Sequence, residues 1–178
     1  MGKAKGSTLI GAVKFLRSQK AQAREILPDS LQHYLSETIS PAAWYPEADL
    51  IGLIRAIAEL LPGPRDEALC AMGVATARAH GEGVYAHLMT GGTTTSVGFA
   101  LWSSMHDTGA LRMRSEGRGC VVVSLEGYED ASPEMCVLTG AYIGEALRLS
   151  GRVAQSEKIS CSLRGDPACA WRCSWDDE

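Results

Sequence analysis

Apolar positions recur with a helical period through roughly the first hundred residues and switch to a strand-like alternation after Gly109. The strongest helical signal follows Pro46. Leu50, Leu53, Ile54, Ile57, Leu60 and Leu61 fall on one buried stripe, with Pro46 at the first helical position and Glu47 and Asp49 in the first turn, where acids complement the helix dipole. Pro62-Gly63-Pro64 ends that helix. Asp66 caps the next one, whose apolar face runs through Leu69, Met72, Ala75, Thr76 and Ala79 and which Gly91-Gly92 closes. A short helix from about 29 to 38 carries Leu31, Tyr34, Leu35 and Thr38 on one face and breaks at Pro41 and Trp44-Tyr45-Pro46. A further helix starts near Thr94 or Thr95 and passes through Val97, Leu101 and Met105. Residues 1–26 read as a solvated tail and a first element, with Ser7 to Leu16 ambiguous in type.

Beyond Gly109, Leu111 to Arg114 and Gly119 to Leu125 form a predicted β-hairpin joined across Ser115 to Gly117. Ser132-Pro133-Glu134 is a helix start in the order cap, proline, acid, and the helix runs to Ser150 with Leu138, Tyr142, Ala146 and Leu149 on one side. Two strands follow, about 153–163 and 168–175, turned by Gly165-Asp166-Pro167. In the last, Cys169, Trp171, Cys173 and Trp175 share one face while Arg172, Ser174 and Asp176 share the other. The order predicts an α+β fold: an N-terminal helical half packed on a C-terminal antiparallel sheet of about four strands in β-β-α-β-β order. No repeat or linker divides the chain, so a single domain is expected over 27–178, preceded by the segment 1–26.

Charge and composition narrow the partners. The 178 residues carry 17 Lys and Arg against 21 Asp and Glu, a net charge of −4, which argues against nucleic acid as the partner. No apolar run approaches the ~20 residues that span a bilayer, so no membrane partner is expected. Six cysteines without a secretory leader favour a reducing, cytoplasmic location. The elbow, phosphate-loop and His-Glu-x-x-His motifs are all missing, and no general base is paired with a nucleophile. The expectation is a protein that is not an enzyme.

Two clusters carry candidate chemistry. Cys161 and Cys169 lie on neighbouring strands across a tight turn, Cys136 lies on the preceding helix, and Glu157 or Cys173 is near enough to complete a tetrahedral set. Zinc binds four such donors. Buried core thiols are the competing reading, because free cysteine is among the most buried residue types. Of the four histidines, His33, His80 and His87 read as surface or interface residues. His106, followed by Asp107, sits where the helical half gives way to the sheet, as a turn residue or as a ligand for something held between the two.

The C-terminal third resembles the four-vinyl-reductase-type small-molecule-binding domain, from Cys136-x3-Gly140-Ala141-Tyr142-Ile143-Gly144 through Glu157-x3-Cys161-x3-Gly165-Asp166-Pro167-x-Cys169-x-Trp171. That resemblance implies zinc on Cys136, Cys161 and Cys169, with Glu157 one residue away from the usual glutamate offset, which Lys158 occupies. Tyr45-Pro46-x2-Asp49-Leu50 and Met72-Gly73 resemble heme nitric oxide/oxygen-binding domains. There, Leu-x2-Leu-His supplies the axial histidine of the iron, and Leu101-Trp102-Ser103-Ser104-Met105-His106 is similar to it. The Tyr-x-Ser-x-Arg clamp for the propionates has no counterpart, so heme is not expected and zinc is the candidate cofactor. The chain also resembles a paralogous family of myxobacterial proteins of about the same length. Together these resemblances imply the fold of nitric-oxide-signalling and Golgi-transport domains, and a signalling module that binds a small apolar molecule or a protein partner. The implied pocket residues are Trp44, Tyr85, Trp102, His106 and Tyr142. A heme or gas sensor using His106, and a ligand-free scaffold or homodimeric adaptor, are the alternatives.

Overall fold

The computed structural model describes residues 1–82 and 101–176. In chain order the elements are β1 (Lys3–Lys5), α1 (Gly6–Ser18), α2 (Lys20–Ile26), a 3-10 helix (Asp29–Leu35), β2 (Trp44–Pro46), α3 (Glu47–Leu60) and α4 (Arg65–Glu82). Residues 101–105 are helical. Then follow β3 (Ala110–Gly117), β4 (Cys120–Glu126), α5 (Pro133–Leu149), β5 (Gln155–Ser160), a 3-10 turn (Ser162–Arg164) and β6 (Ala168–Ser174). The fold is α+β, as the pattern predicts, with helices mostly in the N-terminal half and an antiparallel sheet in the order β3-β4-β6-β5.

The segment read as a solvated tail is instead structural. Residues 3–5 pair with β2, Ala4 is fully buried, and Leu9, Val13 and Leu16 put one side of α1 into the core. The ambiguity at Ser7 to Leu16 resolves as helix. The reason is long-range: Ala4 also bridges to His106, the Gly2 N–H donates to Asp130 Oδ2 at 2.6 Å, and the Asp107 N–H donates to the Lys3 carbonyl at 3.0 Å. A three-residue strand is too short to show a period, so only its partners reveal it.

On α3 the expected stripe is largely buried through Leu50, Leu53, Ile54 and Ile57. Pro46 caps the helix from outside its first turn, and Glu47 is wholly buried rather than solvated. The hairpin forms with its turn nearer Gly119 than expected, since β3 extends to Gly117. α5 begins as its sequence predicts: the Ser132 side chain accepts the Met135 N–H at 3.2 Å, and Pro133 follows. The buried carboxylate of Glu134 receives Arg55 at 2.9 Å and also Arg65, tying α3 and the start of α4 to the start of α5. Along β6, Cys169, Trp171 and Cys173 face α5 and are buried, while Arg172 and Ser174 are exposed.

α4 and α5 approach closely because Gly73 has no side chain. A Cβ there would stand inside contact distance of the Leu138 carbonyl oxygen and 3.0 Å from Ala141 Cβ. The consequence lies one turn further along both helices, where their facing walls enclose open space.

Candidate functional site

A cavity of about 810 Å³ lies between α1, α3, α4, residues 101–106, β3 and α5. That is within the ~300–1,000 Å³ of small-molecule sites. Aliphatic side chains make up most of its wall, including Leu50, Ile54, Met72, Leu138 and Ile143. Its polar groups are few, chiefly His106, His80, Tyr142, Thr139 and hydroxyls of α1 and α4. No lysine, arginine, aspartate or glutamate lines it among the described residues.

His106 is the best-defined group on that wall. It is buried, and its Nδ1 lies 3.0 Å from both carboxylate oxygens of Glu47. The Trp102 ring stacks on its imidazole at 4.1 Å, and Trp102 itself is fixed by donating Nε1–H to the Thr108 carbonyl at 3.0 Å. Tyr128 stands edge-on to Trp102 and donates its hydroxyl to Glu47 Oε1 at 2.7 Å. Burial, and then the charge of Glu47, push the Tyr128 phenol well above its ordinary value, so it stays a donor. With Nδ1 facing Glu47, the other imidazole nitrogen is free to act as an acceptor or metal donor.

A second polar pair on the cavity wall joins α4 to α5. His80 Nδ1 is 3.0 Å from the Tyr142 hydroxyl, with the two rings edge to face. Burial lowers the His80 pKa, which favours the neutral imidazole.

The thiols converge elsewhere, between α5 and the β5–β6 hairpin. The Sγ atoms of Cys136, Cys161 and Cys169 all lie within 4.8 Å of one another, with Cys136 at 3.5 Å from Cys169 and 3.9 Å from Cys161. The turn holds them there: Asp166 Oδ2 accepts the Cys161 N–H at 2.7 Å, and the Ser160 hydroxyl donates to the Ala168 carbonyl at 2.6 Å. Glu157 is not part of the group. It pairs in register with Arg172 on the exposed face, whereas Lys158 pairs with Trp171 on the face that α5 covers. Alternation along β5 therefore points the cation, not the carboxylate, inward. Lys158 Nζ is buried without a hydrogen-bond partner and sits 4.8 Å over the Trp171 ring. Burial works against its charge, but the Cys136 thiol, and then Cys169 and Cys161, raise its pKa.

Burial pushes the Cys136 thiol up. It pushes Cys169 up as well, but hydrogen bonds from Ser162 and Cys136 and the Lys158 charge carry Cys169 below its ordinary value. The Lys158 charge therefore favours the Cys169 thiolate, and the neighbouring thiols in turn favour the ammonium. Lys158→Met is expected to raise the Cys169 pKa, so that thiolate absorbance in the ultraviolet develops at higher pH than in the parent protein. A Cys169→Ser variant assigns the signal, and an unchanged titration would show that the Lys158 charge does not act on Cys169.

Of the residues expected to line a pocket, Trp102, His106 and Tyr142 do so. Trp44 lies away from the cavity, 41% exposed, with the Lys5 ammonium 4.7 Å over its ring. Tyr85 and His87 fall outside the described residues. Glu47 and Tyr128 went unrecognised by sequence reasoning, and His80, read there as a surface or interface histidine, lies on the cavity wall. Glu47 reads as an ordinary first-turn acid, Tyr128 sits in a polar loop, and His80 lies on a helix whose neighbours Ala75 and Ala79 are small. The only available signal for Glu47 was an acid immediately following the Tyr45-Pro46 element.

No protein-family model matches the chain, and no curated protein matches it. Solved structures do. A structure from work on heme distortion in the H-NOX family aligns over 97% of this chain and 95% of its own at 12% identity, with a TM-score of 0.67. A mutant H-NOX protein from S. oneidensis in the Fe(II) ligation state aligns over 98% and 97%, at 12% identity and 0.67. An H-NOX protein from S. oneidensis in the Fe(II)NO ligation state aligns over 97% and 99%, at 15% identity and 0.64. These likenesses correct the cofactor expectation, which set heme aside and favoured zinc: the proteins of this shape are studied with heme and Fe(II), and a lysine ammonium stands where a fourth metal donor was expected. The chain has the H-NOX fold over nearly its whole length.

Proposed function

We propose that this chain is a heme-binding gas-sensing domain in which His106 is the axial donor. The observation that carries the reading is the His106 imidazole on the wall of an apolar cavity, with Nδ1 engaged by the buried Glu47 carboxylate. Metal-binding histidines commonly have this arrangement, a carboxylate fixing the tautomer and leaving the opposite nitrogen to coordinate. The H-NOX fold supports it independently.

The His106 donor and the apolar wall suit the iron and ring of a porphyrin, whose propionates would find no lysine or arginine among the described wall residues. When bound, heme would supply an iron that takes up a diatomic gas. The protein's own tasks are then to hold and orient His106 through Glu47 and Trp102, and to keep water from the site with the aliphatic wall. A cavity of this size also supports a ligand-holding role over a ligand-free scaffold.

A second reading is that a small apolar molecule occupies the cavity directly. It is favoured by the lack of any lysine or arginine on the described wall, and residues 83–100 contain none in sequence. The resemblance of the C-terminal third to four-vinyl-reductase-type domains points the same way.

Titration of the purified protein with hemin separates the two. Saturation at one heme per chain, with a sharp Soret band that shifts when the reduced sample meets carbon monoxide, is the expected result. A broad, unsaturating spectrum, alongside tight binding of an apolar fluorophore, would overturn the heme reading in favour of the second.

A further inference from the structure

We infer that Glu47 and Tyr128 act in opposition to set the donor strength of His106, which makes them positioning residues for the bound iron. The inference rests on the heme reading and goes beyond it to regulation of the same site.

Glu47 is fully buried, and no lysine or arginine pairs with it among the described residues. Its two partners are His106, whose Nδ1 is equidistant from both oxygens at 3.0 Å, and Tyr128, whose hydroxyl donates to Oε1 at 2.7 Å. A carboxylate that accepts the Nδ1–H draws that proton toward itself and so makes the other ring nitrogen a stronger donor. In a dry site this pull is large, because little solvent screens it. Tyr128 gives a second hydrogen bond to the same oxygen. That bond spreads the carboxylate charge toward the phenol and weakens the pull on His106. The Trp102 ring stacked at 4.1 Å restricts rotation of the imidazole, so changes at Glu47 act on the electronics of the ring more than on its placement. These four residues come from three separate parts of the chain, and Glu47 is itself fixed by its backbone N–H, which donates to the Gly2 carbonyl at 2.9 Å.

The two substitutions therefore have opposite signs. Glu47→Gln removes the charge and weakens the donor; Tyr128→Phe removes the competing hydrogen bond and strengthens it. Heme retention is expected to fall about 10-fold in Glu47→Gln, the lower end of losses for outer-shell partners. A role confined to packing would not produce opposite signs.

The test is resonance Raman spectroscopy of the reduced, hemin-loaded full chain, reading the iron–histidine stretching frequency, together with ¹⁵N chemical shifts of the His106 ring in the heme-free protein. The stretch is expected to move down in Glu47→Gln and up in Tyr128→Phe, with matching movements of the ring nitrogen shifts. On exposure to nitric oxide, the fraction of chains keeping the His106 bond should fall in Glu47→Gln. Unchanged frequencies, or shifts of both variants in one direction, would overturn the inference while leaving the heme reading intact. If Glu47→Gln does not fold, Tyr128→Phe decides alone: a stretch that stays or falls overturns it. Absence of any bound heme in the parent protein removes both the inference and the reading beneath it.

Discussion

His106→Ala is expected to abolish the Soret band of the hemin-treated protein, and free imidazole added to the solution is expected to restore it. Two consequences of the geometry combine. The substitution deletes the donor on the cavity wall, and it opens a space of imidazole size bounded by the Trp102 ring and the Glu47 carboxylate. A soluble imidazole fits that space and finds the same carboxylate to fix its orientation. The variant also leaves a buried carboxylate short of a partner, which costs about 2 kcal/mol. Chemical denaturation of the heme-free protein should therefore show a lower midpoint, partly recovered by imidazole. Retention of an unaltered heme spectrum by the variant would place the donor elsewhere in the chain and remove the basis of the proposed function.

Gly73→Ala is expected to be strongly damaging, at about 3 kcal/mol. Its new methyl group would meet the Leu138 carbonyl and the Ala141 Cβ, neither of which can rotate away. α4 and α5 would have to separate, and the cavity wall they form would separate with them. At ~2–4 °C per kcal/mol for a chain of this size, the melting temperature should fall by roughly 6–12 °C. Gly11→Ala on α1 is the control. It lines the same cavity but has nothing within 4 Å of the added Cβ, so helix propensity alone acts and stability should rise by up to ~1 kcal/mol. Equal losses at both positions would show that the close approach of α4 and α5 is not what Gly73 provides.

Periodicity and local turn chemistry were enough to determine α3, α5, the β3–β4 hairpin, the two-faced β6 and the α+β order of the whole. In each, the burial stripe, the cap or the turn residue lies within one element, and a period of 3.6 or 2 reports it directly. The meeting of Cys136, Cys161 and Cys169 was legible as two cysteines flanking a tight turn, with a third on the preceding helix. His106 was singled out by its position at the junction and by a short motif resemblance. Packing between distant elements decided the rest. The N-terminal strand exists only because β2 and His106 accept it. Lys158 rather than Glu157 faces the thiols because the pairing register with β6 selects which of two adjacent charges points inward. Glu47 and Tyr128, 81 positions apart, meet at one carboxylate oxygen. None of these contacts leaves a trace in local pattern, since a buried polar group is specified by the partner that satisfies it, and that partner is chosen by the tertiary structure.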